Sequence, residues 1–150
     1  MAKQDIVTRV IKKEDYDRIV GIDAKITGRR RMNYLRRKVF QALDDEQKLV
    51  TSLVAEVDGK VVGFIMGNVS IGEFGIPETT ATIDTLGVDP DYQHQGIAKV
   101  LLEEFVTTVK KAGGERVTTQ VGWDDIDLLK FFNNQGFAPA KRISLELRID

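Results

Sequence analysis

A polar loop that leads from a predicted strand into a predicted helix carries the clearest chemistry in this sequence. Asp89-Pro90 stops a run of β-branched residues, and a helix-period pattern begins after Gly96. The first backbone N–H groups of a helix have no partner inside the helix, and the helix dipole adds partial positive charge there. Because Gly96 and Ala98 are small, an anion can approach that backbone, and the segment from Asp89 to Phe105 predicts a phosphate site. The alternative is an ordinary strand-to-helix turn with a glycine at the cap.

Asp84 is the first candidate for a general base. It lies inside the predicted strand Ala81–Val88, just upstream of the polar loop. A carboxylate within a central strand is unusual unless it is paired or takes part in chemistry. Thr82 shares the same face of that strand, and Glu73, in the preceding loop, is the second candidate. The alternative for Asp84 is a strand residue that faces solvent or pairs with an arginine.

Composition excludes several classes of protein. Hydrophobic residues make up 42% and charged residues 30%, which is typical of a globular chain, and the length of 150 residues predicts a single domain over 1–150. The net charge of -1 gives no reason to expect nucleic acid or an anionic membrane as a partner. Since there is no cysteine, disulfides, thiolate metal sites and a cysteine nucleophile are excluded, and we expect no metal cofactor. No signal peptide or membrane span is recognisable, so a cytoplasmic protein is expected.

The elements that position these residues follow from the hydrophobic periodicity. The predicted strands are Ile6–Ile11, Leu49–Val57, Val61–Val69, Ala81–Val88, Arg116–Val121 and Ile143–Ile149. The predicted helices are Asp15–Ala24, Asn33–Leu43, a helix between Gly96 and Gly113, and Asp124–Gln135 with Asp124 or Asp125 as its N-cap. Asp58-Gly59 predicts a tight hairpin turn. This order indicates a mixed α/β fold with a hairpin-rich first half and βαβ-type units in the second.

Two short motifs resemble the pattern of the GNAT acetyltransferase superfamily. Gln93-x-x-Gly96-x-Ala98 is similar to the family signature Q/R-x-x-G-x-G/A, and the run Phe131–Phe137 is similar to its later Y-x-x-x-G-F pattern. The order of elements agrees from Ile6 to Ile149. The resemblance implies the GNAT fold, a central, mostly antiparallel sheet with a splayed parallel strand pair flanked by helices.

The same resemblance implies an N-acetyltransferase that moves an acetyl group from acetyl-CoA to a primary amine, on a small molecule or a protein, by direct attack. It implies that the loop amides hold the pyrophosphate and that the strand before the loop pairs with the pantetheine arm. The residues so implied to bind acetyl-CoA are Leu86, Gly87, Val88, Gln93, His94, Gln95, Gly96, Ile97, Ala98 and Lys99. A surface or phosphate-adjacent role is expected for His94, rather than catalysis.

Two positions depart from the family pattern. Phe132 stands where the family often has a tyrosine that protonates the departing thiolate, and its alternative role is core packing. Asp125 stands where the family often has an asparagine that contacts the cofactor, and capping of the helix is expected instead. Phe132 keeps open a second hypothesis, a catalytically weak module that binds acetyl-CoA as a sensor or partner domain. Tyr34 and Tyr92 are alternative proton donors, although a structural or surface role is expected for each.

The stretch Arg29–Lys38 holds the one strong cluster of positive charge. A solvated helix face explains it, and docking of an acidic acceptor or partner is the functional alternative. Nucleic-acid binding there is disfavoured because the chain lacks clustered aromatic residues. The alternation of Ile143–Ile149 would suit a strand that pairs with another chain, which leaves a homodimer open.

Overall fold

The computed structural model describes residues 5–45 and 51–149, and the chain divides into two compact units, Met1–Gln120 and Val121–Asp150. A five-stranded sheet in the order β1-β2-β3-β4-β5 organises the first unit. Its strands are β1 (Ile6–Val10), β2 (Ser52–Val57), β3 (Lys60–Ile71), β4 (Thr79–Val88) and β5 (Arg116–Thr119). The first four strands are antiparallel neighbours, and β5 joins β4 in parallel. The predicted mostly antiparallel sheet with one parallel pair is therefore confirmed.

The hairpin between β2 and β3 turns at Asp58 and Gly59. Their φ angles are 52° and 77°, the pair of positive values that a type I′ turn requires. The turn predicted from the Asp-Gly pair is thus confirmed. The predicted start of β2 at Leu49 lies outside the described residues, and the described strand begins at Ser52.

Among the described residues of the first unit, three helices cover the two faces of the sheet. They are α1 (Tyr16–Thr27), α2 (Met32–Asp44) and α3 (Ile97–Lys111). The helices α1 and α2 share one core cluster with Phe64 and Met66 of β3. A Cβ added at Gly63 or Gly67 would instead contact side chains of α3. Because successive strand residues point to opposite faces, α3 packs on the face opposite α1 and α2.

The side chains of α3 that face the sheet recur at the helical period, as the sequence predicts. The buried ones are Ile97, Leu101, Leu102, Phe105 and Val109. A helix this amphipathic is held mainly by burial of its apolar face. Its start is therefore fixed against β3 and β4, and this fixes the polar loop that precedes it.

The second unit contains α4 (Ile126–Asn134). Asp125 is its N-cap and accepts a hydrogen bond of 3.2 Å from the Leu128 N–H, so the capping role expected for Asp125 is confirmed. The helix ends before Gly136, whose φ is 94°. The rings of Phe131 and Phe137 lie 5.2 and 5.0 Å from the ring of Phe132, which is buried.

The strand predicted over Ile143–Ile149 is wrong. These residues form neither helix nor strand, and the four apolar side chains of the segment are each at least 85% exposed. Alternation of apolar residues predicts an extended conformation, but a strand also needs a neighbour that completes its hydrogen bonds. Within the described residues, no ladder joins this segment to another strand. None of the helices in the described part of the chain is long and apolar enough to cross a membrane.

Candidate active site

A β-bulge in β4 sets the orientation of Asp84. Met66 of β3 lies opposite Thr85, whereas the next residue, Gly67, lies opposite Ile83. Asp84 is therefore the extra residue of the bulge. Since opposed residues point to the same face, Ile83 faces α3 with Gly67, while Thr85 faces the helices α1 and α2 with Met66. A bulge re-aims the side chain of its extra residue, and here Asp84 meets α2.

The partner of Asp84 on α2 is Lys38. Its Nζ donates a hydrogen bond of 3.1 Å to Oδ2 of Asp84, and the two side chains are 29% and 30% exposed. The alternative considered for this carboxylate is exposure to solvent or pairing with an arginine, and its partner in the structure is instead a lysine. The ring of Tyr34 lies 5.9 Å from the same Nζ, and Arg31 lies 4.8 Å above that ring.

The edge of β4 opens directly beyond the bulge. Thr80–Ile83 of β4 pair with Arg116–Thr119 of β5, and the pairing between these two strands ends there. Among the described residues, the last part of β4 therefore pairs with β3 alone. The Asp89 N–H donates to the Val62 carbonyl of β3 at 2.8 Å. By the alternation of strand hydrogen bonds, Leu86 and Val88 direct their N–H and C=O groups to the open side. This edge can accept an extended amide-containing ligand as an added strand.

The start of α3 lies beside this open edge. A Cβ built at Gly63, the partner of Val88 across the sheet, would be 3.0 Å from the Ile97 side chain. Gly96 is the N-cap, with φ 81°, and the first helical hydrogen bond runs from Val100 N–H to Gly96 carbonyl at 3.0 Å. The N–H groups of the residues between them therefore have no partner inside the helix. The exposed His94 also has a positive φ, 66°, which turns the chain into the helix.

Asp89 anchors the loop between the open edge and α3, and sequence reasoning missed this role. Its buried carboxylate accepts hydrogen bonds from Arg18 Nη2 at 2.6 Å and from Lys25 Nζ at 3.1 Å, both on α1. It also accepts from the Asp91 N–H at 3.0 Å, as an N-cap of the short turn that follows. An aspartate before a proline, next to a predicted helix start, is the signal that could have identified a cap.

The buried Asp89 carboxylate is kept in its charged form by Arg18 and Lys25 and by the backbone of Asp91. Burial opposes ionisation of its carboxyl, but the hydrogen bonds from the Asp91 backbone, Arg18 and Lys25 outweigh burial and hold its pKa below the ordinary value. Arg18 also donates from Nε to the Val61 carbonyl at 2.7 Å. The carboxylate therefore connects the loop to α1, and Arg18 connects α1 to β3.

The other candidate residues lie away from this arrangement or serve the fold. Glu73 is exposed in the short helical turn between β3 and β4. The Nζ of Lys60 lies over the Tyr92 ring, 5.9 Å from its centre. In the cluster Arg29–Lys38, Arg31 binds Asp23 through two hydrogen bonds of 2.9 and 2.7 Å, and Arg29, Arg30, Arg36 and Arg37 are exposed. The cluster is thus partly structural and mainly a solvated face.

Comparison with known proteins addresses the family and the fold. The sequence model of the acetyltransferase (GNAT) family matches residues 16–137. The chain is similar in fold to an aminoglycoside N-acetyltransferase, AAC(6')-Iy, in complex with CoA, with a TM-score of 0.82 and 14% identity over 97% of this chain and 95% of that chain. It is also similar to a ribosomal-protein-alanine N-acetyltransferase from Brucella melitensis biovar Abortus 2308, with a TM-score of 0.76 and 20% identity over 97% and 100% of the two chains. A transcriptional regulator from Bacillus halodurans C-125 has a TM-score of 0.82 and 18% identity over 97% and 100%.

Proposed function

The chain belongs to the acetyltransferase (GNAT) family, and from that premise we propose that it transfers an acetyl group from acetyl-CoA to a primary amine by direct attack. One observation carries the proposal. Where β4 parts from β5, a bulge presents the carboxylate of Asp84, and the open strand edge leads within a few residues to the bare start of a helix. A base, an edge for an amide chain and a phosphate site therefore follow one another along a single segment.

Acetyl-CoA would bind along this segment. The open backbone groups of Leu86 and Val88, with Gly87 between them, would pair with the amides of the pantetheine arm. The pyrophosphate would lie against the loop and helix start, Gln93 to Lys99, where unpaired N–H groups and the helix dipole favour negative charge. This arrangement requires no metal ion, because the backbone supplies the positive ends of its dipoles.

The chemistry needs a neutral amine and a leaving thiolate. An alkyl amine has a pKa of about 10.4, so a base must remove its proton, and Asp84 would do so directly or through water. An N–H of the open edge would polarise the thioester carbonyl. A thiol has a pKa of about 8.5, so the thiolate can leave near neutral pH without a strong acid. Phe132 cannot supply that acid, and its packing against Phe131 and Phe137 supports a structural role.

The acceptor would enter on the α2 side of β4, where its ammonium would take the place of Lys38 beside Asp84. The Thr85 hydroxyl faces the same side, is buried and has no hydrogen-bond partner within the part of the chain that the structure describes. Two proteins of similar fold support an acceptor amine on either a small molecule or a protein. One is an aminoglycoside N-acetyltransferase, and the other is a ribosomal-protein-alanine N-acetyltransferase. The exposed arginines of α2 and the preceding loop favour an acceptor or partner that carries acidic groups.

A catalytically weak acetyl-CoA sensor is the second candidate function, and Phe132 in place of a tyrosine favours it. Turnover separates the two. We expect a panel of primary amines (diamines, aminoglycosides and peptides with a free N-terminus or lysine) to include acceptors that release CoA at a rate proportional to enzyme concentration. Acetylated product should match CoA release one to one. Binding of acetyl-CoA without release of CoA above the rate of hydrolysis, across the whole panel, would favour the sensor.

A further inference from the structure

We infer that Lys38 is itself an acceptor, so that the protein acetylates its own Lys38 Nζ. This inference rests on the proposed function, because it uses the same acetyl-CoA and the same base. The observation behind it is that the carboxylate proposed to deprotonate the acceptor already meets an amine of the chain, at 3.1 Å. The Lys38 amine occupies the position that the ammonium of an external acceptor would take.

The placement of this amine along β4 fits transfer. Asp84 lies two strand residues before Leu86, a distance of about 7 Å at the usual rise of a strand. The open edge, where the thioester end of the pantetheine arm would lie, begins there. A lysine amine sits on a flexible four-carbon stem with several rotatable bonds. Rotation about these bonds would carry Nζ from the carboxylate toward the thioester carbon.

The surroundings of Lys38 differ from those of other lysines with described contacts. Its side chain is 29% exposed and lies beside the Tyr34 ring. Lys25 also contacts carboxylates, but these belong to Asp89 and Asp91, in the loop that follows β4. Among the lysine–carboxylate pairs of the described residues, that of Lys38 is the one whose carboxylate lies on β4, just before the open edge.

The transfer step balances as follows. Asp84 accepts one proton from the Lys38 ammonium, and the freed amine attacks the thioester carbonyl carbon to form a C–N bond. The C–S bond breaks, CoA leaves as the thiolate, and a second proton from the nitrogen passes to that thiolate through solvent. The products are N-acetyl-lysine, CoA and one proton released by Asp84. Acetylation removes the charge that now faces Asp84.

The test is incubation of the purified full chain with acetyl-CoA and no added amine, followed by intact mass measurement and peptide mapping. We expect a gain of one acetyl group at Lys38, with a rate constant independent of protein concentration and at least about tenfold above that of the exposed Lys110. Asp84→Asn should slow modification of Lys38 by about 10²-fold or more and leave that of Lys110 unchanged. Lys38→Arg should abolish this fast acetylation of the chain, whereas Lys110→Arg should preserve it.

The inference is overturned if Lys38 is acetylated no faster than Lys110, or if Asp84→Asn leaves its rate unchanged, which would indicate chemical modification by the thioester alone. Binding of acetyl-CoA and turnover of external amines are measured on the same preparation. If these persist while Lys38 stays unmodified, self-acetylation fails and the proposed function stands. If binding and turnover are both absent, the proposed function is wrong, and the inference that rests on it is wrong as well.

Discussion

Asp84→Asn should lower kcat/KM for the best amine acceptor by about 10²–10⁴-fold, the usual contribution of a positioned base. The asparagine keeps the shape of the side chain and loses the ability to take a proton. The affinity for acetyl-CoA should stay within about twofold of wild type, because the cofactor is proposed to contact backbone groups that the substitution leaves in place. The pair with Lys38 is about a third exposed on each side, so its loss should cost at most about 1 kcal/mol of stability.

Steady-state kinetics at several pH values checks this result. Glu104→Gln, at an exposed position of α3, removes a carboxylate elsewhere and should keep wild-type kinetics. A decrease of less than about tenfold in Asp84→Asn would remove this residue as the base. A large decrease in Glu73→Gln, together with a small one in Asp84→Asn, would transfer the assignment to Glu73.

Gly67→Ala should lower the free energy of unfolding by about 3 kcal/mol, the upper part of the range for forced overpacking. A Cβ at this position would collide with the Thr82 carbonyl oxygen and would lie 2.9 Å from the ring of Phe105. The glycine is next to the bulge that orients Asp84, so the side chain cannot be accommodated without a shift of β4 or α3. Loss of acetyltransferase activity should accompany the loss of stability.

Denaturant unfolding followed by circular dichroism measures this effect, and the chain offers a control of opposite sign. Gly21, inside α1, would place an added Cβ more than 4 Å from every atom outside its own stretch of helix, among the residues that the structure describes. Gly21→Ala should therefore stabilise the protein by about 0.5–1 kcal/mol, through the better helix propensity of alanine. If Gly67→Ala is as stable as wild type, the close packing described at the bulge is wrong.

Local signals in the sequence predicted much of the fold. Asp58-Gly59 encodes its turn through two positive φ angles, and the period of apolar residues in α3 encodes the face that packs on the sheet. Both depend on neighbours close in the chain. The strand expected over Ile143–Ile149 failed for the opposite reason, since pairing depends on a partner that the segment itself does not specify. Pairing of this segment with a second copy of the chain stays a prediction.

The candidate site divides in the same way. The helix start after Gly96 was recognisable because its chemistry is local to the loop. The bulge at Asp84 depends on the register between β3 and β4, and the contacts of Lys38 and Arg18 join residues 46 and 71 positions apart in sequence. Long-range pairing of this kind leaves no periodic signal, which is why a lysine near Asp84 and the anchor at Asp89 became visible only in the structure.

We propose that acetyl-CoA binds at the open edge of β4 and the start of α3. Ala98→Glu places a carboxylate in the first turn of α3, where it should stabilise the helix by about 0.3–1 kcal/mol through the dipole. The same charge should repel the pyrophosphate, since a unit charge about 4 Å away is worth several kcal/mol near a protein surface. Thr107→Glu adds the same charge to an exposed position of the same helix, about 13 Å further along its axis.

Calorimetric titration of acetyl-CoA into wild type and these two variants is the most direct measurement. We expect a Kd of about 1–100 micromolar for wild type and for Thr107→Glu, and a Kd at least about tenfold weaker for the equally or more stable Ala98→Glu. Absence of binding to folded wild type, or equal binding by Ala98→Glu, would contradict this proposal and leave the loop before α3 as an ordinary turn from strand to helix.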